Sequence, residues 1–152
     1  MPEAPTAILG REGVRLAQRA SDKEDALRQS GALLVELGAV EPGYAPAMLE
    51  REKSVSTYLG EGVAIPHGTD EARSLVKRTT LGVLQFPDGV EWGEGTVTVC
   101  IAIAASGEEH VGILASLAGV LVDPDKAAQL RGATSEDEVL ALLAPVDDDD
   151  DD

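Results

Sequence analysis

The spacing of apolar residues divides the chain into helical and extended stretches. From Ser21 to Gly38, "SDKEDALRQSGALLVELG" lines up Ala26, Leu27, Leu33, Leu34 and Leu37 on one face. Ser21 and Glu24 have capping-box spacing and Gly38 supplies a stop, so the stretch is expected to be a helix. "EPGYAPAMLERE" predicts a turn and a shorter helix through Met48 and Leu49. "GVAIP" predicts a short strand, and "GTDEARSLV" a helical turn. "TTLGVLQF" and "TVTVCIAIAA" predict two longer strands, with the turn-rich "PDGVEWGEG" joining them. "EEHVGILASLAGVLVD" returns to helical spacing. "PDKAAQLRG" follows as a helix between Pro124 and Gly132, and "SEDEVLALLAP" as another with Ser135 and Glu138 as its capping box. The residues up to about Gly13 predict irregular chain or a short edge element. Helices and strands are interspersed without a repeat, the pattern of one α/β domain with helices packed on a sheet.

Composition narrows the reading. A chain of 152 residues, 43% hydrophobic and 26% charged, can bury the core of one domain. Aromatics are only 3%, so that core is expected to be aliphatic. No apolar run approaches the roughly 20 residues of a membrane helix. "MPEAPTAILGREG" has neither the basic region nor the apolar centre of a signal peptide, so a cytoplasmic location is expected. The formal net charge of -16 argues against nucleic acid, whose phosphates require Lys and Arg, and against insertion at anionic membranes. It suits a basic protein partner or simply solubility. Asp147 to Asp152 form a self-repelling run, expected to be a disordered tail after a domain at residues 1–146. The one cysteine, Cys100, can form neither an internal disulfide nor a zinc site, and it reads as a small buried hydrophobe.

Candidate chemistry centres on two histidines, the chain's full complement. His67 stands between Pro66, which fixes its own φ and holds Ile65 extended, and Gly68, which leaves room for a close approach. The imidazole therefore ends a strand, as a nucleophile or base, or as a plain strand-to-turn residue. His110 opens the helix after the "VCIAIAA" strand. If the two strands are parallel neighbours, both histidines reach one sheet edge, where helix-start N–H groups favour an anion. Taken alone, His110 reads as a surface histidine. Arg51 and Lys53 precede the His67 strand; a guanidinium matches phosphate oxygens, and each charge also suits a surface ion pair. Asp70, Glu108 and Glu109 are the available extra ligands for a metal, but no spacing matches a zinc pattern. "GEG" at 60–62 is a turn, too short for a phosphate loop.

The run from Met48 to Ala72, containing "MLERE" and "STYLGEGVAIPHGTDEA", resembles the enzyme IIA component of the bacterial phosphoenolpyruvate-dependent sugar phosphotransferase system, mannitol/fructose type. The resemblance continues through "QFPDGVEWG", an apolar strand and "HVGILASLAGVL", and upstream through "SDKEDALRQSGALLVELGAV", covering about Ile8 to Leu143. "IPHGT" and "QFPDGV" look closer to the mannitol branch than to the fructose or nitrogen-regulatory branches. The resemblance implies a mixed β-sheet flanked by helices on both faces. It implies that His67 accepts a phosphoryl group from the histidine of the phosphocarrier protein HPr and passes it to a cysteine of a IIB component, which serves a IIC permease. His110 then matches the second active-site histidine, which helps hold the phosphoryl group, and Arg51 a charge-stabilising arginine. The family often has "GNG" where this chain has Gly60-Glu61-Gly62; the Glu61 carboxylate either repels a phosphoryl group or orients an imidazole.

Phosphoryl transfer needs chiefly positioning and charge compensation, so no metal, nucleotide or other cofactor is required. Because donor and acceptor are both proteins, the site is expected to be shallow and exposed, with an apolar rim. The alternative is a regulatory protein whose phosphorylation selects its partners, as in the nitrogen-related branch. A metal-binding domain built on the two histidines is a third reading.

Overall fold

The computed structural model describes residues 9, 11–54, 56–93, 95–105 and 108–143. A 3-10 turn at Arg11–Gly13 leads into β1, Val14–Arg15. Then follow α1 (Lys23–Glu36), α2 (Tyr44–Ser54), β2 (Tyr58–Gly60) and β3 (Val63–Ala64). After a 3-10 turn at Asp70–Leu75 come β4 (Thr80–Glu91), β5 (Thr96–Ala104), α3 (Glu108–Leu121), α4 (Pro124–Arg131) and α5 (Glu136–Leu142). The five strands form one sheet in the order β1-β4-β5-β3-β2. β1 runs parallel to β4 and β3 parallel to β5, while β4 with β5 and β2 with β3 are antiparallel. The sheet is therefore mixed, as expected.

Alternation along β5 divides the core. Val99, Ile101 and Ile103 pack with Ile113, Leu117 and Val120 of α3, Leu130 of α4 and Val139 of α5. On the opposite face, Cys100 joins Leu27 and Leu33 of α1. Ala102 and Ala104 join Leu34, Tyr44 and Met48 of α1 and α2. The period of two in strand side chains thus gives helices on both faces. The small residues lie where α1 and α2 come close. Gly31 of α1 marks that approach: a Cβ there would lie 2.5 Å from the Cβ of Ala45. Gly31→Val is expected to force the helices apart and destabilise the fold by about 3 kcal/mol, read as a lower urea midpoint at unchanged slope.

Caps set the helix limits, with one shift from expectation. The N-cap of α1 is Asp22, not Ser21; its carboxylate accepts from the Asp25 N–H at 2.8 Å. Asp25 in turn accepts from the Ser21 N–H at 2.9 Å. The reciprocal box is present but displaced by one residue, because a carboxylate caps as well as a hydroxyl. Gly38 ends α1 at φ +74°, where Ala39 N–H reaches the Leu34 carbonyl and Gly38 N–H that of Val35. This is a Schellman closure, and it suits a residue without a Cβ. At α5, Ser135 caps the Glu138 N–H as expected, while the Glu138 carboxylate binds Thr134 one residue earlier.

The "PDGVEWGEG" connection is largely strand. β4 continues through it to Glu91, and its register against β5 slips between Gln85 and Val90. Those residues are paired with Val99 and Val97, so three extra residues, including the exposed Pro87 and Asp88, are accommodated as a bulge. Proline lacks a ladder donor, and a bulge tolerates that. The Gln85 side chain fastens the neighbouring structure. Its Nε2 donates to the carbonyls of Arg131 and Ala133 at 3.1 and 2.8 Å, and its Oε1 accepts from the Ala17 N–H at 3.2 Å. β2, which the hydrophobic pattern did not signal, is a three-residue edge strand. Asp147 to Asp152 lie outside the described residues.

Candidate active site

β3 and β5 are adjacent and parallel, the condition under which the sequence brings His67 to the sheet edge. Beyond β3 the pairing continues to one last rung, His67 opposite Ile103, with the Ile103 N–H donating to the Pro66 carbonyl at 2.9 Å. Ile103 lies near the C-terminal end of β5, five residues before α3 begins. His67 thus occupies the carboxyl edge of two parallel strands, at the mouth of the β5–α3 connection.

Local backbone orients the imidazole. Its Nδ1 lies 2.9 Å from the Ile65 carbonyl oxygen. A carbonyl only accepts, so Nδ1 carries a proton, and in the neutral imidazole the lone pair is then on Nε2. Pro66 gives this two-residue loop its stiffness. Ile65 is itself tied down, its N–H donating to the Thr57 carbonyl at 3.0 Å. The expectation of an exposed imidazole is corrected: His67 is only 6% exposed. The ring is turned back toward the Ile65 carbonyl of its own strand.

Behind the site lies a buried polar cluster. Glu52 accepts from the Thr57 N–H and hydroxyl at 2.9 and 2.6 Å, and from Trp92 Nε1 at 3.0 Å. Lys23 Nζ stands 3.3 Å from the same carboxylate and 5.2 Å from the centre of the Trp92 ring. Burial pushes the Glu52 carboxyl up, but the hydrogen bonds from Thr57 and Ser56 and the charge of Lys23 outweigh it, leaving its pKa below the usual value. Cys100 is fully buried and burial pushes its thiol up to about 12, so it is inert as a nucleophile, as expected.

The remaining candidates fall in different places. Arg51 lies in the last turn of α2, half-buried, on the helical face that also carries Tyr44 and Met48. Lys53 is exposed and 4.0 Å from Glu50. Glu61 sits at the far end of β3 from His67, in the β2–β3 turn at φ +56°. Val63 is opposite Val99 and His67 opposite Ile103, so more than about 13 Å of extended chain separates Glu61 from the imidazole. Its partner is Arg131, which donates to the Glu61 carbonyl and lies 3.8 Å from its carboxylate. His110 is the third residue of α3; its side chain, like those of Asp70, Glu108 and Glu109, lies outside the described residues. Among the described residues, no group of three or more His, Cys, Asp or Glu is placed to hold a metal ion. Also among them, no helix is long and apolar enough to cross a membrane.

Residues 7–145 match the family described as phosphoenolpyruvate-dependent sugar phosphotransferase system, EIIA 2. The chain belongs to this family. Among its IIA relatives, the mannitol-specific phosphotransferase enzyme IIA component of Halalkalibacterium halodurans is 43% identical over 141 residues, 93% of this chain and 97% of that one. The multiphosphoryl transfer protein of Escherichia coli O157:H7 is 49% identical over 133 residues, 87% of this chain. The chain spans only 35% of that protein's length. Its fold superposes on the Escherichia coli IIA of mannitol, solved in complex with phosphorylated IIB of mannitol, with a TM-score of 0.82 at 43% identity, covering 89% of this chain and 96% of that one.

Sequence reading missed two residues that shape this IIA site, Tyr44 and Glu52. Tyr44 was legible only as a rare aromatic in a turn-forming stretch, and Glu52 only as one of 28 acidic residues. Nothing in their spacing marks them, because their partners come from other parts of the chain.

Proposed function

We propose that this protein is the IIA phosphocarrier of a sugar phosphotransferase system, with mannitol as the sugar served. In this reading Nε2 of His67 attacks the phosphoryl group on the histidine of HPr. The bond from phosphorus to the donor nitrogen breaks as the bond to Nε2 forms. A cysteine thiolate of a IIB component then takes the group, for delivery to sugar at a IIC permease. The carrying observation is the Nδ1–carbonyl contact at 2.9 Å, which fixes the tautomer whose Nε2 is nucleophilic. His110 and Arg51 are assigned to stabilising the phosphoryl charge. Glu61, held by Arg131 at the other end of β3, is assigned to the β2–β3 turn rather than to the chemistry. The exchange takes place in the cytoplasm, with acidic surface favouring basic docking faces.

The support for mannitol is the 43% identity, over nearly the full length of both chains, to a mannitol-specific IIA component. The test is intact mass after incubation with phosphoenolpyruvate, enzyme I and HPr. An acid-labile gain of about 80 Da, one phosphoryl group, is expected, followed by its loss on adding the IIB of a mannitol permease. A gain that no IIB removes would favour the regulatory reading. No gain, with active control proteins, would leave the fold without the carrier chemistry.

A further inference from the structure

We propose that Tyr44 is the positioning residue of His67, an inference that builds on the carrier role of that histidine. Tyr44 is the first residue of α2 and is 3% exposed. Its hydroxyl donates to the Ile103 carbonyl at 2.9 Å and accepts from the Gly68 N–H at 2.9 Å. In a parallel ladder with His67 opposite Ile103, the rung after Ile103 N–H to Pro66 carbonyl joins the Gly68 N–H to the Ile103 carbonyl. The tyrosine hydroxyl bridges these two groups. The ladder therefore ends at the residue that carries the imidazole.

This arrangement has two consequences. Both peptide groups flanking His67 are tied to Ile103, one directly and one through Tyr44, so the backbone cannot rotate at either side of the histidine. With the backbone held on both sides, the ring keeps its Nδ1 contact with the Ile65 carbonyl, which leaves Nε2 as the nitrogen for the phosphoryl group. Glycine is required at 68 for the same reason: a Cβ there would lie 2.7 Å from the Tyr44 ring. The hydroxyl must also remain protonated to donate to Ile103. Burial, which pushes its pKa up, keeps it so, with the Gly68 N–H opposing the shift.

Tyr44→Phe removes the bridge but keeps the ring. Two readings on the full chain decide the proposal: the rate of phosphoryl transfer from phospho-HPr, and the imidazole 15N signals of His67, which report which ring nitrogen is protonated. We expect the rate to fall about tenfold, the scale of one or two net hydrogen bonds, and the 15N signals to move toward a mixture of tautomers. An unchanged rate together with unchanged 15N signals would overturn the proposal, whatever the loss in melting temperature. If Tyr44→Phe does not fold, Gly68→Ala displaces the ring from the other side and is expected to produce the same 15N shift; unchanged signals there overturn it equally. Should wild-type protein accept no phosphoryl group from active donors, the carrier role fails. The 15N comparison still decides whether Tyr44 sets the ring.

Discussion

His67→Ala is expected to abolish phosphoryl uptake completely. The wild-type chain should gain about 80 Da from phospho-HPr, and the variant nothing, because the variant lacks the imidazole that the Ile65 carbonyl orients at this edge. Cys100 cannot substitute: it is fully buried and its thiol is held protonated at neutral pH. His110→Ala makes the informative contrast. Removing a residue that holds the phosphoryl charge lowers the rate, by roughly a hundredfold for a transition-state donor, while the final mass is still reached. Complete loss in His110→Ala with full gain in His67→Ala would reverse the two roles. The measurement is a time course of intact mass at neutral pH, with acid lability checked on the product.

The second large effect is on stability. Glu52→Ala is expected to destabilise the fold by about 2–4 kcal/mol, because it strands three donors at once: the Thr57 N–H, the Thr57 hydroxyl and Trp92 Nε1. Lys23 loses its carboxylate partner as well. The damage also propagates toward the site, since Thr57 holds Ile65 and Ile65 holds His67. The pH dependence has a definite sign. The Glu52 carboxyl is held below its ordinary value when folded, so its contribution is fully present above the unfolded value. It is lost as pH falls through the lower folded value. Urea unfolding from neutral to acidic pH should show the gap between wild type and Glu52→Ala narrowing at the acid end. A gap that stays constant or widens on acidification would remove Glu52 as the linked group. Trp92, the chain's one tryptophan, reports on both the cluster and the unfolding transition by its fluorescence.

The sequence by itself determined most of the helices and the two long strands, because those features are local. Helical spacing from Ala26 to Leu37 and the stop at Gly38 depend only on near neighbours. The alternation in "TVTVCIAIAA" likewise fixes which side chains of β5 share a face. It also singled out His67, through the stiffness of Pro66 and the space at Gly68, and it carried the family resemblance. Where local rules compete, it erred in detail: Asp22 displaced Ser21 as the cap, and the bulged β4 ran through a stretch rich in turn residues.

Only the tertiary structure decided the setting of the site. The parallel pairing of β3 with β5 brings Ile103 beside His67 from 36 residues away, and α2 delivers the Tyr44 hydroxyl to both backbones. The same packing buried His67, where an exposed imidazole was expected, and assembled Glu52, Thr57, Trp92 and Lys23 from four segments. It also carried Glu61 to the opposite end of β3, toward Arg131, although only five residues lie between it and His67 in the chain. The physical reason is the same in each case. Spacing along a chain reports which residues share a face of one element. The partners of a buried polar atom are set by how separate elements pack, and no periodicity encodes that.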